Sequence, residues 1–135
     1  MIDFVTKKIK LYNPGNEEAD WILHFSDISN FSGCTLSING VGELVVSEFK
    51  LKTTKSGITD TKITIDSKTN LIEGWYNIGT EGNPVWKKTG NLYNEYITSG
   101  DFFKIPVIID KDNGLEMTVN QGYTHPRLEY NYLYL

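Results

Sequence analysis

The stretch Asp60–Tyr76, DTKITIDSKTNLIEGWY, decides the fold. Ile63 and Ile65 alternate with Thr64 and Asp66, the two-residue period of a strand with one face buried. Ser67–Asn70 is polar and turn-forming, and the Asp66 carboxylate is placed to cap it. Leu71–Tyr76 then carries the chain back as a second short apolar run. The stretch reads as a β-hairpin, and none of its side chains forms a recognisable reaction centre.

The same pattern continues outward on both sides. Phe4–Tyr12 reads as a first strand with a phase shift near Thr6–Lys8, stopped at Asn13-Pro14-Gly15-Asn16, where a type II turn would place positive φ on the glycine. Ala19–Phe25 puts Ala19, Trp21, Leu23 and Phe25 on one face and Asp20, Ile22 and His24 on the other. Thr35–Asn39 is a short strand ended by the Asn39-Gly40 turn signal. Leu44–Lys52 reads as one long strand with a bulge or bend between Val46 and Phe49. Thr53–Asp60 is a polar loop leading to the opening hairpin.

Beyond that hairpin, Asn77–Gly100 is irregular, rich in glycine yet carrying Trp86, Tyr93 and Tyr96, and too long for a plain connection. Either Leu92–Thr98 makes a short helical turn or the segment is a functional loop. Phe102–Ile109 is apolar, with Pro106 pointing to an edge or bulged position. Asp110–Gly114, DKDNG, is a turn into Leu115–Val119, and Arg127–Leu135 alternates as a last strand. About nine or ten short strands without a long helical period make a single all-β domain over residues 1–135, an antiparallel β-sandwich.

Composition bounds the function. The chain has 135 residues with 39% hydrophobic and 13% aromatic content, enough for one buried core. A net charge of −4 argues against nucleic acid as a partner, and the densest cation groups, Lys7-Lys8 and Lys87-Lys88, are only pairs. No apolar run approaches the roughly 20 residues of a membrane span, and the alternating N-terminus is unlike a signal peptide. Neither membrane insertion nor export by a signal peptide is expected. The single cysteine, Cys34, excludes an intramolecular disulfide framework and reads as a small half-buried strand residue.

Catalytic chemistry finds no foothold. There is no G-x-S-x-G, H-E-x-x-H, P-loop or C-x-x-C. Two histidines and one cysteine cannot build a zinc site without carboxylates, and His24 reads as an ordinary strand residue. Asp110, Asp112 and Asn113 resemble part of a calcium loop, but the third acid is missing and position twelve is Gln121. Glu73, Glu95 and Asp101 could supply the paired acids of a glycosidase, though nothing in their spacing makes them converge. Asn30-Phe31-Ser32 matches a glycosylation sequon, a triplet too common to carry weight. The expectation is a non-enzymatic domain with no cofactor and no metal.

Aromatic residues are the remaining signal. Trp75, Tyr76, Trp86, Tyr93 and Tyr96, with Phe102 and Phe103, gather in and around the Asn77–Gly100 segment. Core packing, anchoring of a protein partner and stacking against a sugar ring all use such residues. Trp75, Tyr76, Trp86, Tyr93 and Tyr96 are therefore the candidate partner or glycan contacts.

Four stretches in order carry a family likeness: Asn13-Pro14-Gly15, Leu36-Ser37-Ile38-Asn39-Gly40, Ile63-Thr64-Ile65-Asp66 and Gly100-Asp101-Phe102-Phe103-Lys104-Ile105-Pro106. From about Tyr12 to Leu135 the chain resembles the C-terminal domain of siphophage distal tail proteins (Dit), found also in prophage tail regions. The resemblance implies a galectin-like jelly roll at the virion tail tip, made in the bacterial cytoplasm. There it would hold receptor-binding, accessory or other tail and baseplate proteins, and in some members it would bind host-surface carbohydrate. In that family an N-terminal domain forms a hexameric ring. No such domain precedes Phe4, so the chain reads as the C-terminal part of a longer tail protein or a shortened relative. A hexamer is expected only where the ring domain is present.

Overall fold

The computed structural model describes residues 5–26, 30–53, 57, 60–80, 82–109, 115–121 and 126–130. Twelve strands occur among them: β1 (Val5–Lys10), β2 (Trp21–Ser26), β3 (Asn30–Phe31), β4 (Cys34–Ile38), β5 (Gly42–Val46), β6 (Phe49–Lys50), β7 (Thr61–Asp66), β8 (Leu71–Asn77), β9 (Trp86–Leu92), β10 (Ile97–Gly100), β11 (Glu116–Gln121) and β12 (Arg127–Tyr130). The first sheet runs β1-β11-β4-β5-β10 and the second β12-β2-β7-β8-β9, with β3 and β6 forming a separate ribbon. The strand pairs are antiparallel. The all-β antiparallel sandwich expected from the sequence is the architecture.

The opening hairpin forms as read. β7 and β8 pair from Thr61↔Tyr76 to Asp66↔Leu71. Asp66 Oδ1 accepts from the Lys68 backbone N–H at 2.8 Å, and Asn70 closes the turn at φ 57°, a left-handed conformation that asparagine tolerates. The apolar alternation then builds the core. Trp21, Leu23, Phe25, Ile63, Ile65 and Ile72 of the second sheet face Leu36, Ile38, Leu44, Val46, Met117 and Val119 of the first, all buried in one cluster. Leu128 and Tyr130 of β12 pack against its rim. Burying such side chains stabilises by about 1.5–3 kcal/mol each before chain entropy is counted.

Several local expectations are corrected. Leu44–Lys52 is not one bent strand: β5 belongs to the first sheet and β6 to the β3–β6 ribbon, so the change of phase after Val46 marks a change of sheet. The Ser47 N–H at the break donates to Tyr96 O at 2.8 Å. Gly15 does not adopt positive φ. Asn13 organises that turn instead, accepting from the Gly15 N–H at 3.2 Å while its Nδ2 donates to the carbonyls of Glu17, Ile105 and Pro106. Phe102–Ile109 makes two isolated bridges, Ile105↔Ala19 and Ile108↔Asn13, in place of a strand. Cys34 is buried, and burial alone raises its thiol pKa to about 12, which leaves no reactive thiolate.

Asn77–Gly100 is largely ordered structure. It contains β9, a 3₁₀ turn at Asn94–Tyr96 and β10, so of the two alternatives a short helical turn within Leu92–Thr98 is present. The missed strand β9, WKKTGNL, lacks apolar alternation because it lies at the sheet edge with most side chains exposed. The DKDNG turn and residues 131–135 of the last strand lie outside the described residues.

Candidate functional site

The cross-strand register places one set of side chains on the outer face of the second sheet. Arg127 lies opposite His24, His24 opposite Thr64, and Thr64 opposite Glu73. One row along, Lys62 lies opposite Trp75, Trp75 opposite Lys88, and Asn77 opposite Trp86. Strand alternation sends these residues away from the core because Ile63, Ile65 and Ile72 point into it. The result is a polar platform with two indole rings at its β8–β9 end.

The platform is internally tied. Trp75 Nε1 donates to Thr64 Oγ1 at 2.9 Å, which fixes the ring. Lys62 Nζ stands 4.6 Å from the Trp86 ring centre and 5.4 Å from that of Trp75, while Lys88 Nζ is 5.3 Å from Trp75. Each such cation–π contact contributes about 0.5–1 kcal/mol at an exposed site. Lys88 also pairs with Glu73 at 3.1 Å, and Glu129 accepts from His24 Nε2 at 3.2 Å and meets Arg127 at 3.5 Å. Burial, then the neighbouring Arg127, lowers the Lys62 pKa, with Glu129 acting in the opposite sense.

Trp86 is aimed by its own loop. Asn77 Oδ1 accepts from the N–H groups of Gly79 and Val85 at 2.8 Å, and Nδ2 donates to Asp60 Oδ2 at 2.8 Å. This carboxamide replaces missing backbone pairs and closes the β8–β9 connection. Ile78 and Val85, exposed by 48% and 52%, form an apolar tip beside the indole.

The five aromatic candidates separate into two groups. Trp75 and Trp86 are half-buried on the platform. Tyr76 and Tyr93 are buried at 4% and 1% exposure, which removes their rings from any surface contact. Tyr93 stacks on Phe49 at 4.5 Å, and Tyr96 on the same ring at 4.9 Å, so these two tyrosines extend a core aromatic row that includes Phe31 and Phe25. The three acids considered for catalysis sit on different elements: Glu73 on β8, Glu95 on the 3₁₀ turn and Asp101 just after β10.

His24, Lys62 and Thr64 were not singled out as site residues by their sequence context. The signal was available: a four-residue turn pairing Asp66 with Leu71 fixes Lys62 opposite Trp75. His24 has a pKa below the ordinary 6.5, chiefly through burial and then Arg127, and its Nδ1 is buried without a partner among the described residues. A folded pKa below the unfolded value favours the neutral ring. Its stabilising contribution is therefore full above the unfolded pKa and falls as pH drops below about 6.5. A proton NMR titration is expected to place the His24 midpoint below that of a free histidine; a midpoint above it would overturn the assignment.

A second surface feature lies on the outer face of the first sheet, an open depression of about 730 Å³ lined by Lys8, Ser37, Asn39, Glu43, Glu116 and Thr118 among others. It has no aromatic lining. Among the described residues no group of three or more His, Cys, Asp or Glu is arranged to hold a metal ion, and no helix is long and apolar enough to cross a membrane. Compared with family models, curated proteins and solved structures, the chain gives no significant match to any of them.

Proposed function

We propose that this chain is a non-enzymatic module of a phage or prophage tail tip, of the distal tail protein type, that docks receptor-binding or accessory proteins. The reading rests on the four ordered sequence stretches, and one contact carries it furthest. Asn13, from the first stretch, is fully buried and donates to the Ile105 and Pro106 carbonyls of the last, at 3.3 and 3.2 Å. The two ends of the likeness thus interlock as one structural joint, as expected of a family framework. Electron microscopy of the product of the native reading frame tests the reading. Six-fold rings are expected, and a stable monomer of that intact product would overturn it.

A second reading, a carbohydrate-binding module for host-surface glycans, is favoured by the platform itself. Trp75 and Trp86 stand on an open sheet face, and sugar rings stack on such indoles. The acidic chain as a whole is compatible with both readings, since neither requires a basic surface overall.

A further inference from the structure

The cations of the platform are not equally engaged. Lys88 is held by Glu73 and Arg127 by Glu129, whereas Lys62 has no carboxylate within ion-pair distance among the described residues and feels Glu129 only at longer range. Lys62 is instead stationed between two indoles, close to Trp86 and within reach of Trp75. The two further carboxylates on this face are engaged elsewhere, Asp66 in capping the Lys68 N–H and Asp60 in accepting from Asn77 Nδ2. Among Lys62, Lys88 and Arg127, Lys62 is thus the cation without a carboxylate within ion-pair distance among the described residues, at the point where the face is most aromatic.

The ring donors give a second asymmetry. The Trp75 indole N–H is spent on Thr64, so that ring offers a ligand only its apolar surface. The Trp86 indole N–H has no partner among the described residues, so Trp86 offers both a surface and a donor. An anion meeting Lys62 would form a charge-assisted contact, stronger than a neutral hydrogen bond. An open sheet face suits a polymer lying across the strands better than a small molecule enclosed in a pocket.

Resting on the carbohydrate-binding reading, we propose that this platform binds an anionic saccharide. Its carboxylate or phosphate group pairs with Lys62 Nζ, and an adjacent sugar ring packs on Trp86 and accepts from its indole N–H. The chemistry that recognises the ligand is one negative charge next to one apolar pyranose face. Uronate polymers and sugar-phosphate polymers both present it.

The test titrates the purified chain with polygalacturonate, a mannose-phosphate polymer (phosphomannan) and neutral dextran, followed by tryptophan fluorescence. Trp21 is fully buried, so a signal change reports Trp75 and Trp86. At least one anionic polymer is expected to bind, with an affinity that falls as salt is raised, and dextran is not. Which of the two anions binds more tightly identifies the source of the charge.

Lys62→Gln should weaken binding by about tenfold, the scale of one charge-assisted contact. Lys62→Arg should retain most of the affinity, Trp86→Ala should abolish it, and Lys8→Gln on the opposite sheet should leave it unchanged. Thermal melts check that each variant is folded. If dextran binds as well as the acidic polymers and Lys62→Gln is silent while Trp86→Ala is not, the anionic assignment falls and the carbohydrate reading stands. If no polymer binds, both fall.

Discussion

Trp21→Ala is expected to cost about 4 kcal/mol or more in a urea unfolding experiment. The indole is fully buried, packs on Phe103 at 5.3 Å between ring centres, and donates from Nε1 to the Phe103 carbonyl at 2.7 Å. Removing a buried aromatic ring costs about 3–5 kcal/mol through lost transfer energy and the cavity left behind. The stranded Phe103 carbonyl adds about 1–3 kcal/mol unless water reaches it. Against a total stability of about 5–15 kcal/mol, the variant would lie close to unfolding. Trp21→Phe separates the two terms: it keeps much of the volume, loses the donor, and should fall between wild type and alanine. A loss below about 2 kcal/mol for the alanine variant would show that the surrounding chain collapses into the space.

Gly100→Ala is the second large effect and arises from the backbone. Gly100 has φ 77°, and a Cβ built there would lie 1.9 Å from the Glu43 carbonyl oxygen and 2.7 Å from its carbon. A backbone atom cannot rotate aside as a side chain can, so β10 must separate from β5. Positive φ alone costs a non-glycine residue about 1–2 kcal/mol. Losing nearby pairing, including Asp101 N–H to Glu43 O at 3.0 Å, should bring the total to about 3 kcal/mol. Gly40→Ala is the control, with φ 79° and no atom within 4 Å of the built Cβ, and should show only the conformational cost. Hydrogen exchange at the Asp101 amide should quicken in the first variant and not in the second; equal behaviour of the two would refute the steric argument.

What the sequence disclosed depended on whether a residue's role was local. The Asp60–Tyr76 hairpin was legible because alternation and an aspartate-initiated turn are written within a few positions. The same holds for the inward face of β2, where Trp21, Leu23 and Phe25 follow each other at spacing two. The fate of Leu44–Lys52 was not legible. A bulge and a jump between sheets give the same change of phase, and only the long-range partners of Phe49 distinguish them. Strand β9 was hidden for a related reason: an edge strand with exposed side chains has no apolar period to display. Asn13 looked like turn material beside a proline and a glycine, yet its main partners are carbonyls some ninety residues away.

The candidate site divides along the same line. The aromatic cluster was visible as composition, but composition could not separate surface rings from core rings. Tyr93 and Trp86 looked equivalent; one ended inside the sandwich and the other on its face. The ionic partners of the platform come from β2, β7, β8, β9 and β12, so no contiguous motif could contain them. Lys62 in particular acquires its setting only when the register sets it beside Trp75.

The placement of β9 also bears on how crowded copies of this chain treat one another. It is the outermost strand of its sheet, and an open row of amides and carbonyls invites a neighbour to extend the sheet. Lys87 and Lys88 lie exposed along that margin, and the register slips between Glu73 and Trp75 where β9 meets β8. A second copy approaching this border would bring its own Lys87 and Lys88 against like charge. The strand that carries the platform's outer indole is thereby a poor template for extending the sheet.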